Sequence, residues 1–188
     1  MVSDATAITR SLQTPRAFEA VFDRHFDAVH RYLSRRVGRQ RADDLASQTF
    51  VVAFERRASF RLDVSSDARP WLLGIATKLL ANDRRAEQRR LETFARLGAD
   101  AGGAVVSAEA PECDRDVASA LAALDPARRD VLLLHAWGDL SYEEIAGALA
   151  IPLGTVRSRL ARARASLQAD LEAAAAASSA ARTRREVS

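Results

Sequence analysis

The chain has 188 residues, 48% of them hydrophobic, enough for one medium core or two small ones and too many for a single motif. Its formal net charge is +3, carried almost wholly by arginine with Lys78 the sole lysine, so total charge alone points only weakly to a polyanion. Cys113 stands alone, which excludes an intramolecular disulfide, zinc-type Cys/His spacing and a redox CxxC pair.

Residues 1–13 lack the apolar core of a signal peptide, and no run approaches the roughly 18 apolar residues of a membrane span. The expectation is a cytoplasmic protein without membrane insertion, with residues 1–13 disordered. From Phe18, the residues Val21, Phe22, His25, Phe26, Val29, Tyr32 and Leu33 recur at three- and four-residue steps, the mark of one buried helical face. Thr14 and Pro15 supply an N-cap and first turn, and Gly38 a stop.

A second helix is expected from about Ala42 to Arg57 and a third from about Pro70 to Arg96. The second opens on Asp43 and Asp44, which suit the helix dipole whatever else they do. On the third, Leu72, Ile75, Ala76, Leu79 and Ala86 share the buried side. Gly74, Thr77, Lys78, Ala81, Arg84, Arg85 and Gln88 lie opposite. Small residues alternating with cations suit a floor for a nucleic-acid backbone, although a plain solvated basic face gives the same pattern. Asp83 falls toward the buried side, which the pattern does not explain.

Between Gly98 and Asp114 the period dissolves into small residues, glycine, proline and acids, the composition of a linker. Helical signals resume with DVASALAALDPARRDVLLLHAW, in which Asp125 and Pro126 restart a helix. Ser141 and Glu144 have capping-box spacing. The break AIPLG and the helix GTVRSRLARARASL follow, the arrangement of a helix-turn-helix, although an αα-hairpin that merely packs has the same outline. The tail 173–188 has no large apolar residue except Val187 and is expected to fray or be disordered.

On the last helix, Val156, Leu160, Ala163 and Leu167 fall on one line, which must face the core. Arg162 lies about 130° and Arg157 about 90° from that line, and Arg159 and Arg164 about 70° away on opposite flanks. Arginine's fork matches the O6 and N7 edge of guanine, so Arg157, Ser158 and Arg162 are candidate base readers. Arg159 and Arg164 suit phosphates or intramolecular carboxylates.

Both halves together resemble the extracytoplasmic-function (ECF) sigma factors of the sigma-70 family. FEAVFDRHFDAVHRYL, ADDLASQTFVVAF and PWLLGIATKLLANDRRAE are similar to sigma domain 2, and LDPARRDVLLLHAWGDLSYEEIAGALAIPLGTVRSRLARAR to sigma domain 4, in the family's order. The resemblance implies an all-α chain of two small helical domains: domain 2 over 14–97, a flexible linker over 98–113 and domain 4 over 114–172. It implies core RNA polymerase, through its β′ clamp helices and β flap, and promoter DNA as partners, and it admits an anti-sigma factor.

By the same resemblance, Asp43, Asp44, Leu45 and Gln48 dock on polymerase. Trp71, Thr77, Lys78, Arg84 and Arg85 read and melt the minus-10 element, where a pocket for an extruded base traps the open duplex without ATP. Thr155, Arg157, Ser158, Arg159 and Arg162 read the minus-35 element. The chain departs from the family's habit at Lys78, where asparagine is common, at Gln48, where an acid is usual, and at Ala150, where the turn usually has glycine.

The competing reading is a stand-alone helix-turn-helix regulator that does not bind polymerase. An enzyme finds little support. His25 and His30 do not share a helix face, His135 lies in an apolar run, and no carboxylate pair, phosphate-cradling loop or nucleophile motif accompanies them. No cofactor or metal is expected.

Overall fold

The computed structural model describes residues 2–60, 67–96 and 112–186, and side chains over 2–60, 67–89 and 116–177. Among these residues the chain is all helix and turn, as expected. Its helices are α1 (Asp4–Ser11), α2 (Glu19–Val37), α3 (Arg39–Glu55), α4 (Arg69–Arg96), α5 (Glu112–Ala123), α6 (Pro126–Ala136), α7 (Tyr142–Leu149) and α8 (Leu153–Glu186). Most of the proposed linker, residues 98–111, lies outside the described residues, whereas Glu112 and Cys113 already belong to α5.

In the first module a short 3-10 turn with Pro15 at its start leads into α2. Gly38 then turns the chain into α3 at φ 79°, a conformation that a side chain would strain. Phe18, Val21, Val29, Tyr32 and Leu33 meet Ala42, Leu45, Ala46, Phe50 and Ala53 of α3 and Leu72, Ile75, Ala76 and Leu80 of α4 in the core. Asp83, unexplained by the apolar pattern, forms a bidentate ion pair with Arg41, at 2.9 Å from Nε and 2.7 Å from Nη2. It thereby ties α4 to the start of α3.

The N-terminus departs from expectation, because residues expected to be disordered form α1. Ser3 caps this helix, and Asp4, Ala7, Ile8 and Ser11 are buried. The Asp4 carboxylate accepts from the Ala68 backbone N–H at 2.9 Å, contacts His25 Nε2 at 2.6 Å and pairs with Arg24. Burial disfavours its charged form, but Ala68, His25 and Arg24 outweigh burial and hold the carboxyl below its usual range.

In the second module the Asp125 side chain accepts from the N–H groups of Ala127 and Arg128 at the head of α6. Val131, Leu133, Leu134, Leu140, Ile145, Val156, Leu160 and Ala163 form its core. The tail also departs from expectation. Instead of ending near Leu171, α8 continues through Glu186, and its run over 173–177 consists of alanine, the residue with the highest helix propensity.

The two modules are in contact. Helix α4 packs on α7 so closely that a Cβ on Gly74 would stand 2.5 Å from the Ala148 carbonyl oxygen. A Cβ on Gly138 would stand 3.0 Å from Leu73 Cδ1. Arg36 pairs with Asp130 across the seam, and Arg69 Nη2 donates to the Asp139 carbonyl at 3.2 Å. The glycines that permit this approach are legible in the sequence; their partners are not.

Candidate nucleic-acid and polymerase interfaces

In the helix-turn-helix, Ser141 Oγ accepts from Glu144 N–H at 3.1 Å while the Glu144 carboxylate accepts from Ser141 N–H at 2.8 Å. Two otherwise orphaned donors are thus satisfied at the start of α7. Ala150 closes α7 in the left-handed region, at φ 56° and ψ 49°. That conformation costs a Cβ-bearing residue about 1 kcal/mol, so the departure from glycine carries strain.

On α8, Val156, Leu160 and Ala163 are buried, Leu167 is half-buried, and Arg157, Ser158 and Arg162 are exposed. Thr155 and Arg159 are half-buried. Ser158 Oγ donates to the Thr155 carbonyl at 3.1 Å, so its hydroxyl is partly engaged by its own helix. Arg164 braces the fold by donating to the Tyr142 hydroxyl at 3.4 Å. No carboxylate pairs with Arg157, Arg159 or Arg162 among the described residues. Three guanidiniums without acidic partners, spread around the side of α8 that faces away from the core, suit phosphate and base-edge recognition.

Of the α3 residues assigned to polymerase, Asp44 and Gln48 are exposed, and Asp43 lies 2.7 Å from His30 Nε2. Leu45 is a correction: only 4% exposed, it is part of the core and supports the helix from beneath. The resemblance assigned it to the partner, and its burial in the fold sets it apart from the exposed residues of the helix. Sequence reasoning missed two neighbours. Val51 is 58% and Phe22 39% exposed, and the Phe22 ring packs 4.9 Å from those of Phe26 and Phe50. The helical period places Phe22 on a buried stripe, and only its exposure in the fold distinguishes it.

Helix α4 differs most from expectation. Lys78 and Arg85 are exposed, and Trp71 and Arg84 are half-buried. Thr77 is 2% exposed, its hydroxyl 2.9 Å from the Tyr32 hydroxyl and donating to the Leu73 carbonyl at 2.8 Å. In this arrangement Thr77 meets no DNA. Gly74 and Thr77, expected on an open floor, are covered because α7 and α2 close over that stripe. Trp71 packs against Phe60 with ring centroids 5.2 Å apart. Both line a cavity of about 530 Å³ at the seam, together with Asp67, Glu143, Ala146 and Ile151.

No described helix is long and apolar enough to cross a membrane. Asp4, His25 and Asp67 have ligand atoms within 4.8 Å of one another. The Asp4 carboxylate is already engaged there by Arg24, His25 and the Ala68 N–H, which accounts for the cluster structurally.

Comparison with known proteins supplies matches to two family models, Sigma-70 region 2 over residues 21–90 and Sigma-70, region 4 over residues 114–167. The chain is 34% identical to the ECF RNA polymerase sigma factor SigC of Mycobacterium tuberculosis over 171 residues, 89% of this chain and 90% of that one. It is 30% identical to the ECF RNA polymerase sigma-E factor of Escherichia coli, covering 79% and 83% of the two chains. Among solved structures, CnrH in complex with the cytosolic domain of CnrY matches with a TM-score of 0.61 at 30% identity, covering 90% of this chain and 97% of that one. The sigma factor RpoE of Bartonella quintana, in complex with the anti-sigma factor NepR, has the same fold. Its TM-score is 0.63 at 22% identity, over 84% of this chain and 98% of that one.

Proposed function

The chain belongs to the ECF RNA polymerase sigma factors, and from that premise we propose how its surfaces divide the work of promoter recognition. It acts as a non-enzymatic initiation factor in the cytoplasm, binding core RNA polymerase and promoter DNA. The outward face of α3, with Asp44 and Gln48 beside exposed Val51 and Phe22, docks on the polymerase clamp helices. Polar and charged groups beside an apolar anchor suit a specific protein contact. Helix α8 reads the minus-35 element through Arg157, Ser158 and Arg162, with Thr155 and Arg159 toward the phosphates.

Helix α4, with Trp71, Lys78, Arg84 and Arg85, meets the minus-10 element. Because α7 lies against Gly74, the modules must part before the Gly74 side of α4 meets DNA. The described structure is then the closed state of a two-point grip. The observation that carries this reading is the set of exposed arginines on α8, Arg157 and Arg162, together with exposed Lys78 and Arg85 on α4. A protein regulator is a further partner, supported by CnrH being solved bound to the cytosolic domain of CnrY.

In run-off transcription, core polymerase with this chain is expected to initiate specifically on promoters with two spaced sequence blocks. Binding to DNA alone, with no association with core enzyme, would instead support the stand-alone regulator.

A further inference from the structure

Arg36 of α2 and Asp130 of α6 meet across the seam, with Arg84 of α4 and Arg129 of α6 near enough for their charges to act on one another. Arg36 of α2 is the most enclosed, its side chain 1% exposed. Its Nη1 donates to the Tyr32 hydroxyl at 2.6 Å and its Nη2 to the Asp130 carboxylate. Its Nε has no hydrogen-bond partner. Arg84 of α4 is half-buried nearby, and burial, then Arg36 and Arg129, lower its pKa. Arg129 of α6 donates to the carbonyls of Ala122 and Leu124. Arg36 thus holds the one carboxylate, and the charges of Arg84 and Arg129 oppose its own.

Arginine does not escape burial by losing its proton at any ordinary pH, so each of these charges needs an anion or water. The module boundary divides the four groups unevenly. Arg36 and Arg84 belong to the first module; Arg129 and Asp130 belong to the second. Parting the modules takes Asp130 away and leaves Arg36 and Arg84 together with no acid from the cluster. The same parting uncovers Gly74 on α4. A guanidinium that holds a carboxylate has the geometry to hold a phosphate, since the two present similar forked oxygens.

We propose that Arg36 and Arg84 form a binding site for backbone phosphates of single-stranded promoter DNA, and that Asp130 occupies it in the closed state as an intramolecular stand-in. This rests on the reading that α4 meets promoter DNA. Closing the modules and binding DNA on α4 then compete for the same two guanidiniums, and the Thr77–Tyr32–Arg36 hydrogen-bond chain links the contest to the covered stripe.

The test uses the full chain and a fluorescent single-stranded oligonucleotide of mixed sequence, about 16 nucleotides long, titrated by anisotropy between about 50 and 200 mM salt. Asp130→Asn keeps the side-chain shape and removes the charge. It should tighten binding and steepen the slope of log affinity against log salt by about 0.7 for each phosphate newly contacted. Adding Arg84→Gln should cancel the gain, as should Arg36→Gln, each judged against the same substitution alone, whereas Arg16→Gln, at an exposed arginine outside every surface assigned to DNA, should leave it intact. Thermal melts confirm folding, and half-exposed Arg84 serves if the buried Arg36 variant fails to fold. Equal slopes for Asp130→Asn and wild type, or a gain that survives Arg84→Gln, would overturn the proposal. Run-off transcription separates the parent reading: wild type that initiates with core enzyme while the slopes stay equal leaves that reading standing and removes only this site.

Discussion

Replacing Gly74 with alanine tests whether the two modules are held together as described. The added Cβ would meet the Ala148 oxygen at 2.5 Å, its carbonyl carbon at 3.0 Å and its Cα at 3.1 Å, all backbone atoms of a packed helix that cannot swing aside. Restoring ordinary contact requires α4 and α7 to separate, and overpacking of this kind costs about 1–3 kcal/mol. The same change favours α4 itself, because alanine is about 1 kcal/mol better than glycine inside a helix. The first module should therefore hold or gain stability while docking weakens. Small-angle scattering should show an enlarged radius of gyration, and amide exchange should rise in α7 without rising in α2 or α3. A variant that stays closed, with unchanged exchange in α7, would refute the reasoning.

The remaining predictions concern single sites. Ala150→Gly should stabilise the second module by up to about 1 kcal/mol, by relieving the positive φ at some cost in unfolded-state entropy, measured by denaturant melts. Asp44→Ala should abolish or weaken association with core polymerase in a pull-down while DNA binding is unchanged; undiminished association would remove α3 as the docking helix. Arg162→Ala should cost about 1–3 kcal/mol on minus-35 DNA if the guanidinium grips a base edge, and an equal loss on every sequence would assign it to a phosphate. Asp4→Asn should loosen α1 by about 1–3 kcal/mol, seen as faster exchange at Ile8 and Ala68. Because the Asp4 carboxyl is held below its usual range, its contribution is full above the unfolded value near 3.9 and is lost as pH falls through the lower folded value. A contribution lost instead as pH rises above neutrality would contradict that assignment.

The sequence told most where local pattern and tertiary demand coincide. The stripe Val156, Leu160, Ala163 is visible in the helical period, and burial of those side chains fixes which arginines of α8 face outward. Capping chemistry at Asp125, Ser141 and Glu144 likewise needs only neighbours in the chain. Helix α1 was missed because its docking depends on Asp4 meeting His25 and Ala68, contacts some 21 and 64 residues away that no local period announces. Thr77 was misplaced for a related reason. The wheel assumes one buried face, whereas α4 is enclosed from two sides over its first turns, by its own module and by α7. Leu45, assigned to the partner by resemblance, is buried in the core, because a family motif marks which helix docks and not which of its side chains face outward.

The central claim is that one chain grips core polymerase and reads promoter DNA at two separated points. Run-off transcription by core polymerase supplied with this protein on a randomised promoter library tests it most directly. The expected transcripts come from templates that share two short conserved blocks at fixed spacing, with Arg162→Ala relaxing only the upstream block. Transcripts with no shared blocks, or none above core polymerase alone, would contradict it.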